Sequence, residues 1–170
     1  YPDTKTNSIL LSNNNHKFKI GIAWAGNPEY NNDRYRSVDA SLFKPIIETP
    51  NVCVHSLQVG KNKTASEIFD RHVIDLAPSL IDFSETAAAM SCFDLIVSVD
   101  TSVTHLAGSL GLPIWVPLHS IAHWIYLRET DRCPWYPTMR LFRQKEFGNW
   151  HEVFENIRVA LLDRLAHAER

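Results

Sequence analysis

Residues Phe93 to Trp115 read FDLIVSVDTSVTHLAGSLGLPIW, and this stretch leaves few folds open. Phe93, Leu95, Ile96, Val97 and Val99 make an apolar run that reads as a strand buried on both faces. The run passes straight into Asp100, Thr101 and Ser102, then into small residues that suit a helix and stop at Gly111-Leu112-Pro113. Ile114-Trp115-Val116 follows as a second strand. Strand, polar turn, helix and strand form a βαβ unit, whose crossover is right-handed in nearly every known case. Its helix N-terminus sits at the carboxyl end of a parallel strand, where unpaired N–H groups and the helix dipole favour an anion. The expected ligand group is a phosphate. Backbone N–H groups of Ser102 to His105, with the Thr101 and Ser102 hydroxyls, would hold a diphosphate, and His105 would approach it from the first turn. The plain alternative is that Thr101 caps the helix and Asp100 pairs with its dipole. Capping needs only one such residue, and the run of Asp100, Thr101, Ser102, Thr104 and His105 exceeds that.

The rest of the chain repeats the same alternation. Residues 1–17 are polar and Asn-rich around Ile9-Leu10-Leu11 and read as a lead-in or linker; 18–166 read as one domain. Phe18 to Trp24 is the first strand, ending at the turn cluster Ala25-Gly26-Asn27-Pro28. The polar segment Glu29 to Val38 reads as a functional loop. Ser41 is expected to cap a helix through Glu48, and Asn51 to Val59 to form a second strand. Thr64 to Glu67 has the capping-box pattern before a short helix. Val73 to Leu76 reads as a strand, and Ser84 as the cap of a helix over Thr86 to Met90. His119 to Glu129 reads as helical, Met139 to Phe142 as the last strand. Asn149 to Glu152 is a second capping box, opening a helix whose Trp150, Val153, Phe154, Ile157, Leu161 and Leu165 keep the helical period. Apolar strands alternating with helices predict a Rossmann-like parallel sheet with helices on both faces.

Bulk properties exclude several classes. A chain of 170 residues, 45% hydrophobic, supports one well-buried core. With 17 basic against 19 acidic residues it lacks the basic excess that nucleic-acid binding needs. No signal peptide is visible, and no apolar run approaches bilayer-spanning length. Three widely spaced cysteines, Cys53, Cys92 and Cys133, read as reduced thiols, which points to the cytoplasm. No GxGxxG or P-loop is present, and His151-Glu152 does not continue as HExxH. His119 and His123 could share a metal at helical spacing, but with no third ligand nearby they read as ordinary polar-face residues.

In a parallel sheet the loop after the first strand lies on the same carboxyl edge as Asp100. It carries Asn27, Asp33, Arg34, Arg36 and Ser37. An arginine there can neutralise a diphosphate, because guanidinium matches phosphate oxygens in a forked geometry. Each of these residues reads equally well as part of a solvated loop. Gln58, Glu85 and Thr86 fall on the same edge, either to touch a nucleoside or to cap a turn. The aromatics Trp124, Tyr126, Trp135 and Tyr136 read as packing.

The segments GIAWAGNPEYNNDRYRSV, DFSETAAAMSCFDLIVSVDTSVTHLAGSLGLPIWV and PWYPTMRLFRQ together resemble the C-terminal domain of bacterial glycosyltransferase-like proteins that often carry tetratricopeptide repeats. The central block is similar, more distantly, to heptosyltransferases of glycosyltransferase family 9 and to O-linked N-acetylglucosamine transferases. The resemblance implies the donor-binding, C-terminal half of a two-domain GT-B fold. It implies that Asp100, Thr101 and His105 bind a nucleotide-sugar diphosphate, and that Arg36 stands where heptosyltransferases usually have lysine. Arg36 and His105 would then be the catalytic pair; Asn27, Gln58, Glu85, Thr86, Asp100, Thr101, Ser102 and Thr104 would bind the donor. The implied transfer inverts the anomeric carbon and uses neither metal nor cofactor. The acceptor would be a glycan, lipid-linked sugar or protein, held by an acceptor-binding or helical-repeat domain outside this chain, which alone would bind but not turn over. Glu85 replaces the group's usual aspartate, and His123 and Ile125 stand where the group reads Asp-Trp-Arg-Trp. A catalytically inactive nucleotide-binding or protein-interaction module is the competing expectation.

Overall fold

The computed structural model describes residues 17–60, 68–69 and 72–168. Its centre is a six-stranded, wholly parallel sheet: β1 (Phe18–Ala23), β2 (Val52–Ser56), β3 (Val73–Asp75), β4 (Leu95–Ser98), β5 (Ile114–Leu118) and β6 (Met139–Arg143). The strands lie in the order β3-β2-β1-β4-β5-β6. The helices bounded among the described residues are α1 (Asp33–Arg36), α2 (Lys44–Ile47), α3 (Phe83–Met90), α4 (Ser102–Ser109) and α5 (Trp150–Ala168).

Two cores follow from the pleat, since successive side chains of a strand point to opposite faces. Ile20, Ile22, Leu95, Val97, Trp115 and Phe142 face one way, where Phe43, Ile46, Phe154, Ile157 and Leu161 cover them. Ile96, Ile114, Val116, Met139 and Leu141 face the other way and meet Met90, Val103 and Ala107. Apolar runs without a polar face were the sequence mark of strands covered on both sides, and β4 is buried along its whole length. Gly21 is needed where β1 crosses under the α3 side: an added Cβ would lie 2.7 Å from the Phe93 ring.

Several sequence expectations move. The residues 41–48 form a 3-10 turn (Ala40–Phe43) followed by α2, and the cap is Asp39, which accepts from the Ser41 N–H at 2.9 Å. Asp82, not Ser84, caps α3, accepting from the Glu85 N–H at 2.9 Å. An aspartate earlier by two residues extends each helical segment toward its N-terminus and gives the dipole a charge rather than a hydroxyl. The second strand stops at Ser56, because Gln58 turns back toward β1. Half of the second capping box forms: Asn149 accepts from the Glu152 N–H at 3.3 Å, while the Glu152 carboxylate pairs with Lys145 at 2.7 Å. The expected helix over His119 to Glu129 is absent, and only a 3-10 turn at Trp124–Tyr126 occurs there. Leu127 then adopts φ 49°, a left-handed conformation that ends any helix, and Arg143 clamps the turn by donating to the carbonyls of Tyr126, at 3.2 Å, and Leu127. The Thr64 to Glu67 capping box lies outside the described residues.

Candidate functional site

The strand order reverses between β1 and β4, since β1 is followed to one side by β2 and β4 to the other by β5. Loops leaving two such neighbours diverge and open a crevice at their carboxyl ends. Two clefts occupy that edge. The smaller, about 450 Å³, is lined by Gly26, Asn27, Gln58, Thr101, Ser102 and Val103 among others. The larger, about 710 Å³, is lined by Tyr30, Asn32, Tyr35, Asp100, His105, His119, Ile121, His123, Ile125 and Phe147. Arg36 lines both.

The turn read from the sequence as an anion cradle has fewer open donors than expected. The Thr104 and His105 N–H groups donate to the Thr101 carbonyl at 3.1 and 3.3 Å, as the helix itself requires. Of the four N–H groups from Ser102 to His105, those of Ser102 and Val103 have no protein acceptor among the described residues. Thr101 makes no side-chain cap. Its hydroxyl instead lies 3.3 Å from that of Ser98, inside the protein. Leaving the cap unmade keeps the first turn open to an outside acceptor.

The remaining candidates divide by what they already hold. Thr104 is fully buried and donates to the Val99 carbonyl at 2.8 Å, pinning α4 onto the end of β4. Gln58 accepts from the N–H groups of Trp24 and Ala25 at 3.0 and 2.9 Å and donates to the Ala25 and Val59 carbonyls, so its amide braces the loop after β1. Thr86 is buried and bonds the Asp82 carbonyl at 2.7 Å. Glu85 is half-buried in the first turn of α3 and lines neither cleft. Asn27 is exposed at the mouth of the smaller cleft, its Oδ1 accepting from the Glu29 N–H. Ser102 is exposed at the same mouth.

At the larger cleft the sequence reading missed two partners. Tyr126, fully buried, donates its hydroxyl to Asp100 Oδ1 at 2.5 Å. The Tyr136 hydroxyl lies 3.4 Å from His105 Nδ1, and His105 Nε2 lies 3.5 Å from Asp100 Oδ1. Of the four aromatics expected to pack, Tyr126 does so while serving the site, whereas Trp124 and Trp135 are 71% and 61% exposed. Burial works to raise the Asp100 carboxyl, but hydrogen bonds from His105 and Tyr126, with the nearby Arg36 charge, hold its pKa below the ordinary carboxylate value. Burial raises the Tyr126 hydroxyl, and the Asp100 charge and hydrogen bond raise it further, so it stays a donor. His119 titrates below an ordinary histidine, mainly through burial, with Arg143 adding and Asp100 opposing. His119 and His123 are not on one helical face; both line the cleft, and no group of three or more metal-ligating side chains occurs among the described residues.

Comparison with known proteins joins this geometry to a family. Residues 10–116 match the family described as Glycosyltransferase family 9 (heptosyltransferase). The chain belongs to glycosyltransferase family 9. Among solved structures, this family 9 domain is similar to ADP-heptose lps heptosyltransferase II of E. coli, with TM-score 0.56, 14% identity and coverage of 96% of this chain and 53% of that one. It is also similar to a family 9 glycosyl transferase from Veillonella parvula, with TM-score 0.58, 14% identity and coverage of 85% and 39%. At that identity the likeness establishes the Rossmann-like fold of GT-B glycosyltransferase structures. A curated relative, protein FlbA of Caulobacter vibrioides, is 30% identical over 155 residues, which is 85% of this chain and 25% of FlbA. The family 9 domain thus spans a quarter of that relative's length. Among the described residues no helix is long and apolar enough to cross a membrane.

Proposed function

We propose that this chain is the donor-binding domain of an inverting, metal-independent glycosyltransferase, holding the diphosphate of a nucleotide sugar at the N-terminus of α4. The observation that carries this reading is the position of Arg36. It lies at the strand-order reversal and borders both the cleft under the open first turn of α4 and the cleft of Asp100 and His105. A nucleotide sugar has a moiety on each side of its diphosphate, and a cation between two clefts suits that shape. Negative charge grows on the β-phosphate as the glycosidic bond breaks. Donors already oriented there stabilise the transition state more than the ground state. The forked N–H groups of Arg36, the N–H groups of Ser102 and Val103, and the Ser102 hydroxyl supply such donors. His105, braced between Asp100 and Tyr136, is the second polar group facing the leaving diphosphate. The acceptor, a glycan, lipid-linked sugar or protein, binds in this reading on an acceptor-binding or helical-repeat domain of a longer cytoplasmic protein.

The test is titration of UDP, ADP, GDP and their sugars against the purified chain by calorimetry and thermal shift. Stabilisation by one diphosphate, lost in Arg36→Ala or His105→Ala, is the expected result. No response to any of them at millimolar concentration overturns donor binding. One observation favours a second reading, a binding module without transfer activity: His123 and Ile125, which replace the usual Asp and Arg, line the larger cleft. Tight diphosphate binding with no sugar transfer or donor hydrolysis by the full-length protein would select it.

A further inference from the structure

We propose that Asp33 is the positioning residue of the donor site: it orients the Arg36 guanidinium at the boundary of the two clefts and thereby sets diphosphate affinity without touching the ligand. The inference rests on the reading of Arg36 as the diphosphate's partner. Asp33, the first residue of α1, is 8% exposed, although Asn32 and Arg34 on either side of it are exposed. A carboxylate withdrawn from water destabilises the fold unless its oxygens are bonded, and both are. Oδ1 accepts from Arg36 Nε at 2.9 Å, and Oδ2 accepts from the Ser37 hydroxyl at 2.7 Å. The Ser37 oxygen in turn accepts from the Gly26 N–H at 2.9 Å. Gly26 lies three residues beyond the end of β1, so this chain of bonds runs from the sheet edge to the guanidinium.

Two further observations fix its direction. A Cβ on Gly26 would lie 2.6 Å from both Asp33 Oδ1 and Arg36 Nη2, so the ion pair is packed against the Gly26 backbone and a side chain there would have to displace it. The guanidinium carbon stands 4.6 Å from the centroid of the Tyr30 ring, which covers one of its faces. With Nε bonded to Asp33, the Nη groups are the part of the fork left for phosphate oxygens. Ordering a long side chain before the ligand arrives lowers the entropy lost on binding.

Charge alone predicts the opposite sign, because a carboxylate beside an anion site repels the anion. Removing it would then tighten binding. Positioning predicts weakening, and the two separate in one measurement. Wild type, Asp33→Ala, Asp33→Asn, Arg36→Ala and the Asp33→Ala/Arg36→Ala double variant are titrated with UDP, ADP and GDP by calorimetry. Folding of each variant is checked by thermal melting. With the diphosphate that binds wild type, Asp33→Ala should weaken affinity about tenfold or more, the scale of a hydrogen bond to a charged group. Asp33→Asn, which keeps an acceptor for Arg36 Nε, should recover much of that loss. In the Arg36→Ala background, Asp33→Ala should cost almost nothing more. Unchanged or tighter binding by Asp33→Ala overturns the proposal, as does a loss that is equally large without Arg36, which would mark a general loop defect. If Asp33→Ala does not fold, Asp33→Asn combined with Arg36→Ala gives the same cycle, with a smaller expected loss that must also vanish without Arg36. No binding by wild type overturns the donor reading itself and this inference with it.

Discussion

Replacing His55 with leucine should flatten the dependence of stability on pH between about 6.5 and 4. His55 lies on β2 and is 1% exposed, with its ring centroid 5.1 Å from that of Phe93 and its Nε2 4.0 Å from the Cys53 sulfur. Burial lowers its pKa from 6.5 to about 4, the Lys19 charge adds to the effect, and backbone groups of Cys53 and Ile20 oppose it. Its depressed folded value means that the unfolded chain binds this proton more readily. Stability is therefore fully present above the unfolded pKa and is lost as pH falls toward the folded one. The gap between 6.5 and about 4 converts, at about 1.36 kcal/mol per pH unit, to a loss of about 3 kcal/mol across the window. For a chain of 170 residues each kcal/mol moves the melting temperature by about 2–4 °C. Wild type should thus fall by about 6–12 °C more than His55→Leu as pH drops from 7 to 4. Leucine has a similar volume, and the His55 Nδ1 it removes has no hydrogen-bond partner among the described residues. At pH 7 the variant should therefore stay within about 1.5 kcal/mol of wild type. Urea denaturation at half-unit pH steps gives the difference directly. Parallel curves for the two proteins would refute the argument, because the other titrating groups are common to both.

Gln58→Leu should cost about 2–5 kcal/mol, since it leaves the Trp24 and Ala25 N–H groups without their acceptor; urea denaturation at pH 7 reads the loss. Tyr126→Phe should cost about 1.5–3 kcal/mol at pH 7 by removing the 2.5 Å bond to Asp100, and it should raise the Asp100 pKa, followed by carboxyl chemical shifts. A depressed carboxyl pKa stabilises above its unfolded value of 3.8 and ceases to do so as pH falls through the folded one. The stability gap between Tyr126→Phe and wild type should accordingly be full at neutral pH and close only below about pH 4.

The sheet was readable because its strands are continuous apolar runs punctuated by strong stops. Gly111, at φ 68°, ends α4 where Gly-Leu-Pro was read as a stop. Strand order was not written in any run of residues, yet the order found is the one that puts β1 and β4 side by side and so brings Arg36 to the α4 N-terminus. The caps differ from expectation in one direction: they are Asp39 and Asp82, each two residues before the expected Ser41 and Ser84.

The site was legible where local geometry governs it and obscure where distant segments meet. Asp100 to His105 lies in one turn, and its placement follows from the βαβ unit alone. Gln58, Thr86 and Thr104 are polar and edge-placed, and their bonds to backbone carbonyls and N–H groups could not be read from the sequence. The error over His119 to Glu129 hid more. Read as a helix, that segment presents its aromatics as packing. As an irregular loop held by Arg143 across 17 residues of sequence, it delivers Tyr126 to Asp100 and places His119 and His123 in the larger cleft. A hydrogen-bond donor for a buried carboxylate is an obligation that Asp100 itself announces. The sequence mark that would have exposed it is the hydroxyl-bearing ring at Tyr126, a residue that rarely goes into a core without a partner for its polar end.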